Sequence, residues 1–77
     1  MKNAVLVSVK DKIIKVRSTK ENITDVSIYD ITGKSIYTKN KVNATELQIN
    51  NLQAANQFLL VKTTLENGYL SNTKTIF

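Results

Sequence analysis

The feature of this 77-residue sequence that most limits its fold is the alternation of apolar and polar residues with a period of two. Val5, Val7 and Val9 share one face of an extended segment, and Ile14 and Val16 repeat the pattern a few residues later. Successive side chains of a β-strand point to opposite faces, so this pattern indicates strands with one buried and one solvated face. β-Branched residues dominate the apolar positions, as pleated surfaces favour.

Turn residues divide the chain into seven predicted strands. The predicted strands cover residues 4–9, 12–18, 24–31, 34–39, 45–50, 57–65 and 69–76. The predicted turns lie at Lys10-Asp11, Lys20-Glu21-Asn22, Thr32-Gly33 and Asn67-Gly68. Short strands at this spacing predict a single domain, residues 1–77, with an all-β fold that is either an antiparallel sandwich or a small barrel.

Asn67-Gly68 is the clearest turn signal, because Asn-Gly between two strands favours a two-residue type I′ turn. Such a turn places Leu65 and Leu70 opposite each other on one face of the sheet. Residues 58–61, Phe-Leu-Leu-Val, are apolar at every position and predict a central strand that is covered on both faces. Residues 51–57 give no clear strand signal and are compatible with a helical turn.

The composition excludes most catalytic and metal chemistry. The sequence has no cysteine and no histidine, which removes disulfides, thiol nucleophiles, imidazole bases and the usual zinc ligands. Its two glycines, Gly33 and Gly68, stand alone and form no phosphate-binding loop. Of the carboxylates, Asp30 lies two residues before a turn, where it is expected to accept hydrogen bonds from turn amides. The sequence therefore predicts a protein that is not an enzyme and that holds no metal and no cofactor.

The net charge of +5 comes from basic residues that are spread singly along the chain. This spacing favours a solvated surface with lysines at strand edges, and the alternative is a docking face for an anionic partner. Tyr29 and Tyr37 are expected to lie near one another across the Asp30–Ser35 hairpin as amphipathic cover for the sandwich. A nucleic-acid or carbohydrate platform is the alternative for these tyrosines, and no nucleic-acid partner is expected.

The apolar runs are too short for a membrane span, and the start at Met1-Lys2 lacks the apolar stretch of a signal peptide. No transmembrane segment is therefore expected. The chain is expected to be a fragment of a longer protein.

One stretch of the sequence resembles a known protein family. Val26–Tyr37, read Val-Ser-Ile-Tyr-Asp-Ile-Thr-Gly-Lys-Ser-Ile-Tyr, resembles the hairpin of C-terminal sorting domains of the Bacteroidetes type IX secretion system, also called the Por secretion system. Three further pieces follow in the family's order: Asn43–Leu52, Phe58–Lys62, and the closing Glu66–Gly68 hairpin with the ending Lys74–Phe77. The resemblance covers most of the chain, and with it we expect the all-β fold to be a seven-stranded antiparallel β-sandwich of the immunoglobulin-like class.

The Ala-Ala-Asn-Gln stretch at residues 54–57 stands where better-known members of that family carry a glycine, and it looks like the flavobacterial subclass. The resemblance implies a secretion signal that directs an attached N-terminal cargo through the periplasm and outer membrane to the cell surface or the medium. The implied partners are the translocon, its shuttle components and a sortase-like peptidase. An accessible last strand, from Tyr69 to Phe77, suits such recognition by strand addition.

The recognition surface that we expect combines the predicted hairpin turn with the end of the last strand. Its residues are Asp30, Gly33, Lys34, Lys74, Ile76 and Phe77. For Ile76 and Phe77 the alternative is that they only close the core. The alternative function for the whole domain is a small adhesion or carbohydrate-binding β-sandwich module.

Overall fold

The computed structural model describes residues 5–50, 52 and 57–77, which form two antiparallel β-sheets packed face to face. The strands in chain order are β1 Val5–Lys10, β2 Ile13–Ser18, β3 Ile23–Asp30, β4 Ser35–Lys39, β5 Glu46–Ile49, β6 Phe58–Leu65 and β7 Leu70–Ile76. Each predicted strand is confirmed, and its ends lie within one residue of the predicted ends. The predicted start at Ala4 lies outside the described residues, as does most of the 51–57 stretch that is compatible with a helical turn, including Ala54, Ala55 and Asn56.

The sheets contain three and four strands, in the orders β1-β2-β5 and β4-β3-β6-β7. The predicted all-β, seven-stranded antiparallel sandwich is therefore confirmed. In the immunoglobulin-like scheme the third, sixth and seventh strands share a sheet, as β3, β6 and β7 do. β4 pairs with β3 and not with β5, so it adds a fourth strand to the sheet of β3, β6 and β7.

The core consists of the inward-facing alternate residues of both sheets. The buried apolar side chains are Ile14, Val16, Ile23, Val26, Ile28, Ile49, Leu59, Val61, Leu65 and Phe77. Burying one such side chain contributes roughly 1.5–3 kcal/mol relative to leaving it exposed. Since the chain has no disulfide to supplement this burial, the packing of these few side chains supports the fold.

The hairpin between β1 and β2 has a two-residue loop, because Lys10 pairs with Ile13 across it. Asp11 and Lys12, the loop residues, have φ values of +52° and +64°. Positive φ at both positions is typical of a type I′ turn, whose twist matches that of the flanking strands. The turn was predicted at Lys10-Asp11, one residue earlier than it lies, because neither loop residue is a glycine or an asparagine.

The hairpin between β6 and β7 has a three-residue loop, so the predicted type I′ turn at Asn67-Gly68 is wrong. The Gly68 N–H donates to the Leu65 carbonyl at 2.9 Å, and the Leu65 N–H donates to the Tyr69 carbonyl at 2.9 Å. Gly68 has a φ of +90°, whereas Asn67 is not among the residues with positive φ. This is a type I turn followed by a glycine bulge, the common form of a three-residue hairpin loop.

The longer loop shifts the pairing of β7 by one residue. Leu70 lies opposite Thr64 and is 56% exposed, whereas Leu65 is buried. The expectation that Leu65 and Leu70 share a face is therefore wrong. A shift of one residue sends every side chain of a strand to the other face of its sheet.

Two hydroxyl groups in the core lack a hydrogen-bond partner among the described residues. They are the Thr63 Oγ1 in β6 and the Ser18 Oγ in β2, and both side chains are buried. A buried hydroxyl without a partner loses its hydration and gains nothing in return. These positions therefore lower the stability of the sandwich.

We predict that Thr63→Val stabilises the protein, because valine has nearly the same shape and carries no hydroxyl. The free energy of unfolding should rise by about 1 kcal/mol, as measured by urea denaturation at neutral pH. Thr45→Val, at an exposed site, is the control and should change stability by less than about 0.5 kcal/mol. A loss of stability in Thr63→Val would show that the hydroxyl has a partner.

Candidate functional site: one end of the sandwich and the adjoining outer face

The turn between β3 and β4 is built around the carboxylate of Asp30. Its Oδ1 accepts hydrogen bonds from the N–H of Thr32 at 2.9 Å, from the Thr32 hydroxyl, and from the N–H of Lys34 at 3.0 Å. The main chain adds a bond from the Gly33 N–H to the Asp30 carbonyl at 3.0 Å. The expected role of Asp30 as an acceptor for turn amides is confirmed.

Gly33 closes this turn with a φ of +91°, in the left-handed region where glycine alone carries no steric penalty. The Asp30 N–H donates to the Lys34 carbonyl at 3.0 Å, so the loop is again a type I turn with a glycine bulge. Ile31, at the tip, is 68% exposed. The turn thus holds an apolar side chain and the Lys34 main chain in a defined position.

The hydrogen bonds of the turn stabilise the charged form of Asp30. Donation by the Thr32 hydroxyl, then by the Lys34 amide, lowers the pKa of this carboxyl below its ordinary value. Because the folded pKa lies below the unfolded one, the charge stabilises the fold above the unfolded pKa, and the effect is lost as the pH falls.

We predict that Asp30→Asn destabilises the protein at pH 7 and that the difference from wild type shrinks as the pH falls below about 4. Asparagine keeps the acceptor oxygen and removes only the charge, so the comparison isolates the ionic part of the turn. Thermal unfolding of both proteins at pH 7 and pH 2.5 measures the difference. A gap of equal size at both pH values would contradict this account.

The end of β7 divides its last residues between the core and the solvent. Phe77 is buried, and its N–H donates to the Gln57 carbonyl at 2.9 Å. Ile76 is 64% exposed and lies opposite Phe58 on the outer face. Phe77 therefore packs in the core, whereas Ile76 does not, and the alternative that both residues only close the core is wrong for Ile76.

The pairing of the strands brings the turn and the end of β7 to the same end of the sandwich. Asp30 pairs with Leu59 in β6, and Leu59 pairs with Thr75 in β7. Neighbouring strands are about 4.8 Å apart, so this row places the turn roughly 10 Å from the end of the last strand. All six residues of the expected recognition surface therefore belong to one end of the molecule, although the Phe77 side chain is buried in the core.

The turn between β1 and β2 lies at this end as well. The Lys12 ammonium lies 4.8 Å from the centroid of the Phe77 ring. A cation over an aromatic face is attracted by the ring quadrupole. This contact, which the sequence analysis missed because it joins residues 65 positions apart, holds the last residue against the opposite sheet.

The outer face of the four-stranded sheet carries an apolar surface beside this end. We call the surface formed by Tyr29, Phe58, Leu60, Lys74 and Ile76 the outer patch. Leu60 lies between Tyr29 and Lys74 in one row, and Phe58 and Ile76 form the next. The Lys74 ammonium lies 4.8 Å from the centroid of the Phe58 ring.

The outer patch shows that the expectation for residues 58–61, a central strand covered on both faces, is only partly correct. These residues do lie in a strand at the interior of its sheet, as predicted. Only one face of that strand is covered, since Phe58 and Leu60 are 46% and 40% exposed. The unbroken apolar run at residues 58–61 was the sequence signal for this patch. A strand with one buried and one solvated face alternates apolar and polar residues, whereas this run is apolar on both faces.

The two tyrosines are not brought together as expected. Tyr37 lies opposite Ile28 and packs against the core, whereas Tyr29 lies on the outer side, opposite Ser35. A bulge in β4 places Ile36 and Tyr37 against one residue of β3, so both side chains reach the core. The pair therefore forms no aromatic platform for a base or a sugar ring.

The outer face of the three-stranded sheet differs in character. It carries alternating polar residues, and Lys15 forms an ion pair with Glu46 at 3.0 Å. A shallow cleft of about 340 Å³ on this face is lined by Ser8, Lys10, Asp11, Ile13, Lys15 and Gln48. It contains no pair of acidic side chains and no aromatic ring, so its lining does not resemble a catalytic or sugar-binding site.

Within the described ranges, no three acidic, histidine or cysteine side chains are grouped closely enough to hold a metal ion. The same ranges contain no helix that is long and apolar enough to cross a membrane. The Asp30–Lys34 turn, the end of β7 and the outer patch together form the candidate site.

Comparisons with known proteins place the chain in a family and a fold. The family model described as Domain of unknown function (DUF8694) matches residues 1–77. No curated protein matches the sequence significantly. The crystal structure of CopC from Methylosinus trichosporium OB3b is similar, with a TM-score of 0.58 over 99% of this chain and 91% of that chain. The two sequences are 20% identical, so the likeness concerns the fold alone.

Proposed function

We propose that this chain, which belongs to the DUF8694 family, is a C-terminal sorting domain that directs an attached cargo protein through the outer membrane by a type IX secretion system. In this role the domain catalyses nothing. It presents a folded surface to the translocon and its shuttle components, and the cargo is covalently joined to its N-terminal side. The cargo then reaches the cell surface or the medium, where a sortase-like peptidase acts on the domain.

The observation that carries the proposal is the meeting of two separate sequence pieces at one end of the sandwich. The Asp30–Lys34 turn and the end of β7 resemble the sorting-domain family in sequence, and they lie more than 40 residues apart in the chain. Pairing through β6 brings them to one surface. A recognition surface of this kind forms only in the folded domain, which suits a signal that is read after the periplasmic step.

The chemistry of the surface supports binding. Exposed apolar side chains grouped on one face of a small protein commonly mark an interaction site. Phe58, Leu60 and Ile76 supply such a group, with Lys74 beside them on the edge strand, and Ile31 is exposed at the tip of the turn. The turn is held by hydrogen bonds to one carboxylate, so little conformational freedom is lost when a partner binds it.

A secretion assay tests the proposal. Residues 1–77 are fused to the C-terminus of a fluorescent protein that carries a periplasmic signal peptide, and the fusion is expressed in a flavobacterium with and without a working type IX translocon. Fluorescence should leave the cell only where the translocon works. Retention of a folded, intact fusion in the periplasm of both strains would refute the role, and glycan-array binding would then test the adhesion or carbohydrate-binding alternative.

We predict that Ile76→Ser in this fusion reduces secretion severalfold without unfolding the domain, because the side chain is exposed and contributes little to the core. Leu6→Ser is the matched control, since Leu6 is 57% exposed on the outer face of the opposite sheet. The control should be secreted like wild type. Equal secretion of both variants would remove Ile76 from the recognition surface, and unfolding curves of the purified domains confirm that both are folded.

A further inference from the structure

β7 forms one edge of the four-stranded sheet: among the described residues it pairs with β6 on one side and with no strand on the other, and β1 of the other sheet lies near it. β7 has seven residues, and the other edge strands, β1, β4 and β5, have six, five and four. Its register against β6 contains no bulge, whereas β4 carries one. Proteins commonly protect edges by shortening, bulging or charging them, because an unprotected edge pairs with other strands. Along its described length β7 is neither short nor bulged.

The charge that would protect this edge is turned away from it. Lys74 is the charged residue of β7, and its ammonium lies over the Phe58 ring of the neighbouring strand. An edge lysine guards against pairing when its charge projects over the edge. Here the side chain lies over its own sheet, so its charge does not project over the edge.

The direction of the main-chain groups of β7 follows from its two ends. The Tyr69 carbonyl accepts from Leu65, and the Phe77 N–H donates to Gln57, so residues 69 and 77 both hydrogen-bond toward β6. Antiparallel pairs alternate between hydrogen-bonded and non-hydrogen-bonded positions, and the register between these ends has no shift. The even-numbered residues therefore direct their N–H and C=O groups away from β6. These residues are Leu70, Asn72, Lys74 and Ile76.

The same four residues point their side chains to the outer face, where all of them are exposed. A strand added to this edge would therefore meet both their main-chain groups and their side chains. Its outward side chains would lie opposite an isoleucine, a lysine, an asparagine and a leucine in turn. Directly opposite residues in a sheet favour apolar with apolar and acid with base.

We propose that the β7 edge accepts one extended antiparallel strand from an acidic segment of a partner protein, with a carboxylate opposite Lys74 and apolar side chains opposite Leu70 and Ile76. The net charge of +5 and the outer-face cations Lys62 and Lys74 favour an acidic partner and oppose a second copy of this chain. An acidic strand of this kind adds the chemistry of the partner to the proposed function. Only the identity of the protein that supplies the strand rests on that function.

A synthetic peptide tests the inference on the purified 77-residue chain. The probe is Val-Thr-Glu-Thr-Thr-Thr-Val with blocked ends, whose glutamate falls opposite Lys74 and whose valines fall opposite Ile76 and Leu70. The chain is labelled with nitrogen-15, and amide hydrogen exchange is followed by NMR. The peptide should slow exchange about tenfold or more at residues 70, 72, 74 and 76 and leave the odd-numbered amides of β7 as they were.

Two substitutions separate main-chain pairing from charge. Asn72→Pro removes one outward N–H and keeps the bonds to β6, so it should abolish binding while the rest of the spectrum stays unchanged. Asn72→Thr, the control, should bind within about twofold of wild type, since it keeps the N–H. Lys74→Glu should weaken binding about tenfold, and a peptide with lysine in place of glutamate should restore it.

Three results would overturn the inference. One is no protection at the four outward amides at a peptide concentration that saturates any observed binding or reaches the solubility limit. Another is equal affinity of Lys74→Glu for the acidic and the basic peptide. The third is concentration-dependent protection of these amides in the free chain, which would assign the edge to a second copy. Secretion of the fusion is measured separately, so failure of the peptide to bind and failure of the sorting role are distinguishable.

Discussion

The structure depends above all on the register of β6 against its two neighbours. β6 lies at the interior of the four-stranded sheet, and its inward residues Leu59, Val61 and Leu65 are part of the core. A slip of one residue would turn them outward. Alternation does not prevent that slip over residues 58–61, because both faces of the strand are apolar there. The polar positions after Val61 and the loop at Gly68 must therefore hold the register.

The loop at Gly68 sets the orientation of the last strand. With the observed three-residue loop, the odd-numbered residues of β7 share the inward face with Leu65, and Phe77 reaches the core. A two-residue loop at the same glycine would place the even-numbered residues inward instead. Ile76 would then be buried, and Phe77 would be exposed. One residue of loop length thus decides which of the last two side chains packs against the opposite sheet.

This dependence explains which parts of the structure could be predicted from the sequence. The seven strands were predictable because alternation is a local property that does not depend on partners. The role of Asp30 was predictable because its hydrogen bonds reach only to Thr32 and Lys34. The turn at Asn67-Gly68 was located correctly, but Asn-Gly fits two loop lengths, and the choice between them lies in the pairing of distant residues.

The wrong loop length affects the expected faces of β7. It places Leu70 on the inner face with Leu65, and the same parity favours the alternative that Ile76 only closes the core, whereas both side chains are exposed. The open outer face of β6 was missed for a related reason, since an unbroken apolar run does not show whether a second layer covers it. These errors concern long-range pairing and the covering of a surface, which no short stretch of sequence encodes.

The inward-facing and the outward-facing residues of β7 are coupled through this geometry. Because the odd-numbered residues turn their side chains inward and bond to β6, the even-numbered ones are left with exposed side chains and outward main-chain groups together. Main-chain pairing tolerates many side chains, so a surface of this kind needs few defined residues to be recognised. In the proposed role, a domain recognised in this way can vary widely in sequence while its register and its bulged turns stay the same. The glycine at position 68 therefore supports both the closure of the core by Phe77 and the exposure of the edge that a partner would bind.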